Sequence, residues 1–188
     1  PPVRIGVLGA GYFGTLHALT VNSLSEAQLC AIVESSTYAL SQLPASLQEI
    51  PQFSDLISAL DSTSVDAWIV ASSTASHVCL AQQLLQADVF VLLEKPIAPS
   101  LAEAEALQAL NASRLRKLML GHILLFNSEF RELQYQCQQR GGFDYASCYR
   151  MRPTSNASHY PNENPYFLTM VHDLYCVQSL VNAEEPQK

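Results

Sequence analysis

The chain predicts an α/β fold: a doubly wound parallel sheet, followed by a shortened part of an α+β domain. Three observations carry that expectation. Short apolar runs alternate with amphipathic stretches as far as residue 120, the pattern of successive β-α-β units. Residues 3–8 and 65–71 are almost continuously apolar, as parallel strands covered on both faces must be. Beyond residue 120 the composition turns polar, which divides the chain into a sheet domain, 1–120, and a second part, 121–188.

The first apolar run leads straight into Gly9-x-Gly11-x-x-Gly14, and a helix follows from about Tyr12. In a strand–turn–helix context each glycine has a purpose. Gly9 permits the tight turn, Gly11 lets backbone approach a pyrophosphate, and Gly14 lets helix pack closely on strand. The amino end of the helix, at Tyr12, Phe13 and Gly14, offers N–H groups and partial positive charge to phosphates. Glu34 lies twenty positions beyond Gly14, at the end of a second strand over 29–33. An acid there hydrogen-bonds ribose hydroxyls and repels a 2′-phosphate. Ser35 and Ser36 follow with no Arg or Lys, so the pattern favours NAD over NADP.

The remaining elements follow in order. The first helix, 12–23, presents Leu16, Leu19 and Phe13 as its apolar face. A short helix over 37–43 stops at Pro44, and Ser54 caps a helix over 55–60 with Leu56, Ile57 and Leu60 apolar. After strand 65–71, a helix from about 77 to 87 turns Val78, Ala81, Leu84 and Leu85 inward. Strand 89–93 follows, then a helix to about 110 opened by the Ser100/Glu103 capping box. A further strand covers 118–126, interrupted at Gly121-His122. Asn127 caps a Gln-rich helix ending at Arg140, with Gly141-Gly142 as its C-cap. Residues 143–152 alternate like a strand, with Phe143, Tyr145, Tyr149 and Met151 opposite Asp144, Cys148, Arg150 and Arg152. A polar loop leads to a last helix over 166–182 carrying Leu168, Val171, His172 and Tyr175.

Composition sets the outer limits. The chain has 188 residues, 48% apolar and 14% charged, a globular balance rather than a disordered one. A net charge of −7 and a pI near 5.1 argue against a general nucleic-acid footprint. Five cysteines without a CxxC pair, three of them within apolar patterns, read as buried free thiols in a reducing compartment. No apolar run approaches the ~20 residues that span a bilayer, and the chain opens on its first strand, so no membrane partner and a cytoplasmic location are expected. No Cys/His/Asp cluster has metal-ligand spacing, so no metal is expected.

Lysines are scarce: Lys95, Lys117 and Lys188. Lys95 stands in Glu94-Lys95-Pro96 at the carboxyl end of strand 89–93, the end where open α/β sheets bind ligands. Two readings balance there. One is a lysine that holds a substrate hydroxyl and steadies an alkoxide; the other is a solvated loop lysine paired with Glu94.

A family resemblance adds to this. Gly9-x-Gly11-x-x-Gly14, Ser72-Ser73-Thr74-x-x-His77, Glu94-Lys95-Pro96, Gly121-His122…Phe126-Asn127 and Val171-His172-Asp173-Leu174 together resemble the family of glucose–fructose oxidoreductase, inositol dehydrogenase and related sugar dehydrogenases. The Gly-His…Phe-Asn stretch is most similar to members oxidising UDP-N-acetylglucosamine at its 3-hydroxyl. The resemblance implies Lys95 as the catalytic lysine, with a cis bond before Pro96, and His172 as the acid/base. It implies Ser72, Ser73, Thr74, His77 and Glu94 on the cofactor side. His122, Asn127 and Thr169 fall toward the substrate, a sugar or UDP-sugar. Arg150 and Arg152, on one face of the alternating segment, read either as a diphosphate site or as a solvated sheet face. His159 and Tyr160 in the polar loop are further candidate contacts.

The chain departs from the family pattern at three places. Leu168 occupies the position one turn before His172 where an aspartate is usual, with Thr169 beside it. Leu125 stands where an arginine is common, and Ser128 where a proline is common. Family members also run well past this length, so the chain reads as a shortened member or a piece of a longer one, with homo-oligomerisation through a C-terminal sheet. The expected activity is NAD-dependent hydride transfer from a secondary alcohol of a sugar. The alternatives are an NAD-sensing regulator without turnover and an NAD-dependent glycosidase.

Overall fold

The computed structural model describes residues 1–151 and 166–181, so Arg152, His159 and Tyr160 lie outside the described residues. The chain divides into two compact units, Pro1–Gly121 and His122–Lys188.

The first unit is a six-stranded sheet in the order β3-β2-β1-β4-β5-β6. Its strands are β1 (Val3–Leu8), β2 (Ala27–Val33), β3 (Gln52–Phe53), β4 (Ala67–Val70), β5 (Phe90–Leu93) and β6 (Leu118–Leu120). Every pairing is parallel. Neighbouring parallel strands need crossovers, which the helices supply: α1 (Tyr12–Ser23), α2 (Thr37–Ser41), α3 (Leu56–Ser62), α4 (Thr74–Gln86) and α5 (Leu101–Ser113). The order reverses between β1 and β4, the switch point of a doubly wound fold.

Period-two alternation sorts the strand residues onto two cores. Leu8, Val33, Trp68, Val70, Val91 and Leu93 pack with Leu84, Leu85 and Leu107. Val7, Ile32 and Ile69 pack on the other side with Ala18, Val21 and Leu47. One irregularity adjusts the phase. Ile5 pairs with Leu29 but Gly6 with Ala31, so Cys30 is an extra residue in β2 and bulges it. Opposite, the Trp68 ring lies over Gly6: a Cβ there would stand 2.5 Å from the ring.

Several expectations change in detail. The inner face of α1 is Gly14, Ala18 and Val21; Phe13, Leu16 and Leu19 are 43%, 50% and 36% exposed. Small side chains face the sheet because the helix sits too close to it for leucines. Asp55, not Ser54, caps α3 by accepting the Ser58 N–H at 2.9 Å, and Ile57 points outward. Ser100 accepts the Glu103 N–H at 3.4 Å and donates to its carboxylate, making half of the expected capping box. Of the five cysteines only Cys176 is buried. No described helix is long and apolar enough to cross a membrane.

In the second unit β6 does not continue: residues Ile123–Phe126 form a 3₁₀ turn. Asn127 caps α6 (Ser128–Gln139) by accepting the Phe130 N–H at 3.0 Å. Gly141 and Gly142 take φ of +80° and +109°, and the Gly142 N–H returns to the Cys137 carbonyl at 2.8 Å. A wide turn over Tyr166–Met170 then leads into α7 (Val171–Val181). The strand expected over 143–152 does not form among the described residues, and Tyr145, Tyr149 and Met151 are strongly exposed. Alternation marks a strand only where a neighbour takes its N–H and C=O groups, and the described part of this unit has no strand to pair with. The C-terminal sheet expected to carry self-association is therefore missing from it.

Two outcomes test these contacts. Gly6→Ala drives a methyl into the Trp68 ring and should cost about 1–3 kcal/mol in denaturant unfolding; an unchanged midpoint would refute the contact. On the amino-terminal side of the sheet, the Arg4 guanidinium donates to Asp66 at 2.6 and 3.1 Å and its backbone N–H at 2.9 Å. First the Arg4 side chain, then its N–H, lowers the Asp66 carboxyl from 3.8 to about 2. A depressed folded value stabilises above the unfolded one and is lost on acidification. Asp66→Asn should thus flatten the stability change between pH 4 and pH 2, followed by thermal unfolding across that range.

Candidate functional site

The carboxyl ends of the strands bring together residues that are far apart in sequence. Gly9–Gly11 follow β1, Glu34 follows β2, Ser72–Thr74 follow β4 and Glu94–Lys95 follow β5. This is the crevice at the switch point.

The glycine turn is built from close backbone approaches. Gly9 has φ of +99°, and a Cβ on it would stand 2.7–2.9 Å from the Ala71 and Ser72 backbone. A Cβ on Gly14 would collide with the Gly9 carbonyl oxygen, so α1 rests directly on the turn. Gly11 differs: a Cβ there meets nothing within 4 Å. Its bareness leaves an open surface rather than relieving a clash. The helix starts at Gly11 with no side-chain cap, whereas α3, α5 and α6 are capped by Asp55, Ser100 and Asn127. Open space beside uncapped N–H groups fits a pyrophosphate.

Glu34 stands at the edge of this surface. Its carboxylate accepts the Ala10 N–H at 2.9 Å and the Ser36 N–H at 2.9 Å, which sets its direction at the end of β2. Ser72 shares a 2.8 Å hydrogen bond with Ser76, shaping the loop that opens α4. His77 is 1% exposed, and its ring nitrogens lie 2.8 Å from the Pro96 carbonyl and 3.1 Å from the Ser72 carbonyl. It links the β4 and β5 loops through these two carbonyls.

At the end of β5 the Lys95–Pro96 bond is cis. The Lys95 ammonium lies 5.8 Å from the centroid of the Phe13 ring, within cation–π range. Glu94 does not simply pair with the lysine side chain. Its carboxylate takes His17 Nε2 at 2.8 Å and the Lys95 backbone N–H at 3.1 Å. Burial is the largest influence and raises the Glu94 carboxyl, but the His17 hydrogen bond and charge, then those of Lys95, outweigh it and hold it below the usual value. The sequence reading missed His17; its place four residues after Phe13, on the same face of α1, was the available signal.

The second unit groups its own candidates around Tyr175. The hydroxyl of Tyr175 accepts the Leu124 N–H at 3.2 Å and lies 2.7 Å from His172 Nδ1. The His122 ring stacks on Tyr175 at 4.1 Å. Arg150 grips Asp173 with two hydrogen bonds of 2.8 and 3.3 Å, so its guanidinium neutralises a carboxylate on α7 rather than lining a sheet face. Asn127 spends its side chain on the α6 cap, and Thr169 lies in the turn before α7. Among the described residues no three His, Cys, Asp or Glu side chains cluster as metal ligands.

Fold and crevice are those of a dinucleotide-binding domain, and the chain belongs to the oxidoreductase family with an NAD-binding Rossmann fold, whose pattern it matches over residues 3–122. Among its relatives, UDP-N-acetylglucosamine 3-dehydrogenase of Acidithiobacillus ferrooxidans is 27% identical over 97% of this chain and 55% of that protein. Inositol 2-dehydrogenase of Leifsonia xyli is 32% identical over 71% of this chain and 40% of that protein. In three dimensions the chain resembles scyllo-inositol dehydrogenase of Lactobacillus casei, solved with bound NAD(H) and scyllo-inositol. The TM-score is 0.85 at 21% identity, covering 96% of this chain and 56% of the other. The chain thus spans about half the length of the curated relatives it matches.

The two inner glycines separate binding from folding. Gly11→Ala, at φ −71° and in open space, should leave unfolding within about 0.5 kcal/mol and weaken NAD about tenfold by calorimetry. Gly14→Ala should destabilise by about 2 kcal/mol or more. Equal affinity in wild type and Gly11→Ala would place the pyrophosphate elsewhere.

Proposed function

We propose that the protein is an NAD-dependent dehydrogenase for a secondary alcohol on a polyhydroxylated ring, an inositol or a UDP-sugar. The observation that carries this is the open, uncapped surface at Gly11 on the same strand edge as Lys95. Glu34 favours NAD over NADP, because its anchored carboxylate stands where a 2′-phosphate would meet like charge. The similarity to UDP-N-acetylglucosamine and inositol dehydrogenases supports the substrate class.

Bound nicotinamide supplies the hydride acceptor. Lys95 holds the substrate oxygen and offsets the negative charge that develops on it. His172 accepts the hydroxyl proton, a role suited to imidazole. Tyr175, at 2.7 Å from Nδ1, orients its ring. His122 stacks behind Tyr175 and steadies the same group.

A second reading, an NAD-binding regulator without turnover, is favoured by Leu168 in place of the usual aspartate. A panel of inositols, hexoses and UDP-sugars with NAD and with NADP separates them. One ring alcohol should give NADH with NAD, and Lys95→Met should lower kcat about a thousandfold while NAD affinity holds. NAD binding with no turnover on any member would move the assignment to the regulator. Release of free sugar without NADH accumulation would indicate a glycosidase.

A further inference from the structure

The dehydrogenase reading makes Lys95 the reacting lysine but leaves open what sets its direction. We propose that His17 is a positioning residue for Lys95: by gripping the Glu94 carboxylate, it fixes the backbone from which the lysine projects.

Three elements meet at Glu94. From α1, His17 Nε2 lies 2.8 Å from Oε1. From the segment just after β5, the Lys95 N–H donates to Oε2 at 3.1 Å. From the end of β6, Gly121 leaves the room: a Cβ there would stand 3.3 Å from both the Glu94 carboxyl carbon and Oε1. The carboxylate therefore lies between α1 and the end of β6, with Oε1 toward His17 and Oε2 toward the Lys95 N–H. A carboxylate held at both oxygens is restrained, and so is the peptide plane that donates to it. Burial intensifies this, since the Glu94 side chain is 16% exposed and that of His17 25%, and a charge-assisted hydrogen bond gains strength away from water.

The same helix touches both residues of the Glu94-Lys95 pair. Phe13 faces the ammonium and His17 faces the carboxylate, one turn apart on α1. Since α1 also forms the phosphate-facing glycine turn, one rigid element places the cofactor cradle and the lysine relative to each other. A misplacement of the reacting group by ~1 Å can cost about a hundredfold in rate, which gives such a link functional weight. His17 touches neither substrate nor cofactor in this scheme and acts only through Glu94.

The test compares His17→Phe, which keeps a ring of similar size but no hydrogen bond, with His17→Gln, whose amide can donate from nearly the same place. Three measurements are made on the full chain: NAD affinity by calorimetry, kcat and KM on the alcohol found in the panel, and the ¹³C signal of Lys95 after reductive methylation. That signal is resolvable because the chain has only three lysines, assigned with Lys117→Arg and Lys188→Arg. His17→Phe should lower kcat about tenfold or more, hold KM and NAD affinity within about threefold, and move the Lys95 signal. His17→Gln should restore kcat and signal toward wild type. A His17→Phe protein that binds NAD with unchanged kcat and Lys95 signal overturns the proposal, as does failure of His17→Gln to restore either. If no alcohol turns over in wild type, the dehydrogenase reading fails by itself. The Lys95 signal then decides alone, its movement in His17→Phe and return in His17→Gln supporting the link and its constancy refuting it.

Discussion

The contact on which the rest depends is that of α1 against the turn at the end of β1. Gly14 lies so close to the Gly9 carbonyl that no side chain fits between them. That approach fixes the height of the helix above the sheet, and much follows. With the helix low, its inner face holds only Gly14, Ala18 and Val21. Its amino end opens beside Gly11, where nothing stands within 4 Å of a Cβ position. One turn further along, Phe13 and His17 come level with the end of β5 and reach Lys95 and Glu94. A helix raised by a methyl group would disturb both the cradle and the lysine.

This also explains which parts of the fold were legible in the sequence. β1 and β4 could be read because strands buried on both faces need nearly continuous apolar runs, and Gly9 and Gly14 could be read because backbone geometry demands glycine at known spacings. The inner face of α1 could not be read the same way. Leu16 and Leu19 are the larger hydrophobes, so periodicity points to them, yet the sheet takes the side lined by small residues. Hydrophobicity measures the drive to bury, whereas a close approach selects for size.

The site divides on similar lines. Candidates set by a glycine spacing or a strand end, such as Gly11, Glu34 and Lys95, stand out by local pattern. His77 was visible in the sequence but not its use, because its partners are the carbonyls of Ser72 and Pro96, and carbonyls carry no sequence signature. His17 was missed because its partner lies 77 positions away. The alternating run over 143–152 failed for a different reason. A strand exists only with a neighbour, and its periodicity describes a face without stating what pairs with the edge.

In the second unit, electrostatics rather than shape separates this chain from the pattern it resembles. With Leu168 one turn before His172, the turn below the histidine brings no carboxylate. The acid present on the helix, Asp173, is held by Nε and Nη2 of Arg150, so its charge is already matched. The phenol oxygen of Tyr175 lies 2.7 Å from Nδ1, and that hydrogen bond adds direction without adding charge. The Tyr175 hydroxyl is itself held by the Leu124 N–H and its ring by the stacked His122. At Nδ1 the imidazole thus meets a neutral, braced hydroxyl. Tyr175 thereby ties α7 to the Ile123–Phe126 turn through Leu124 and holds both His122 and His172 against one ring, which makes the tyrosine as consequential to this unit as the Gly14–Gly9 contact is to the first.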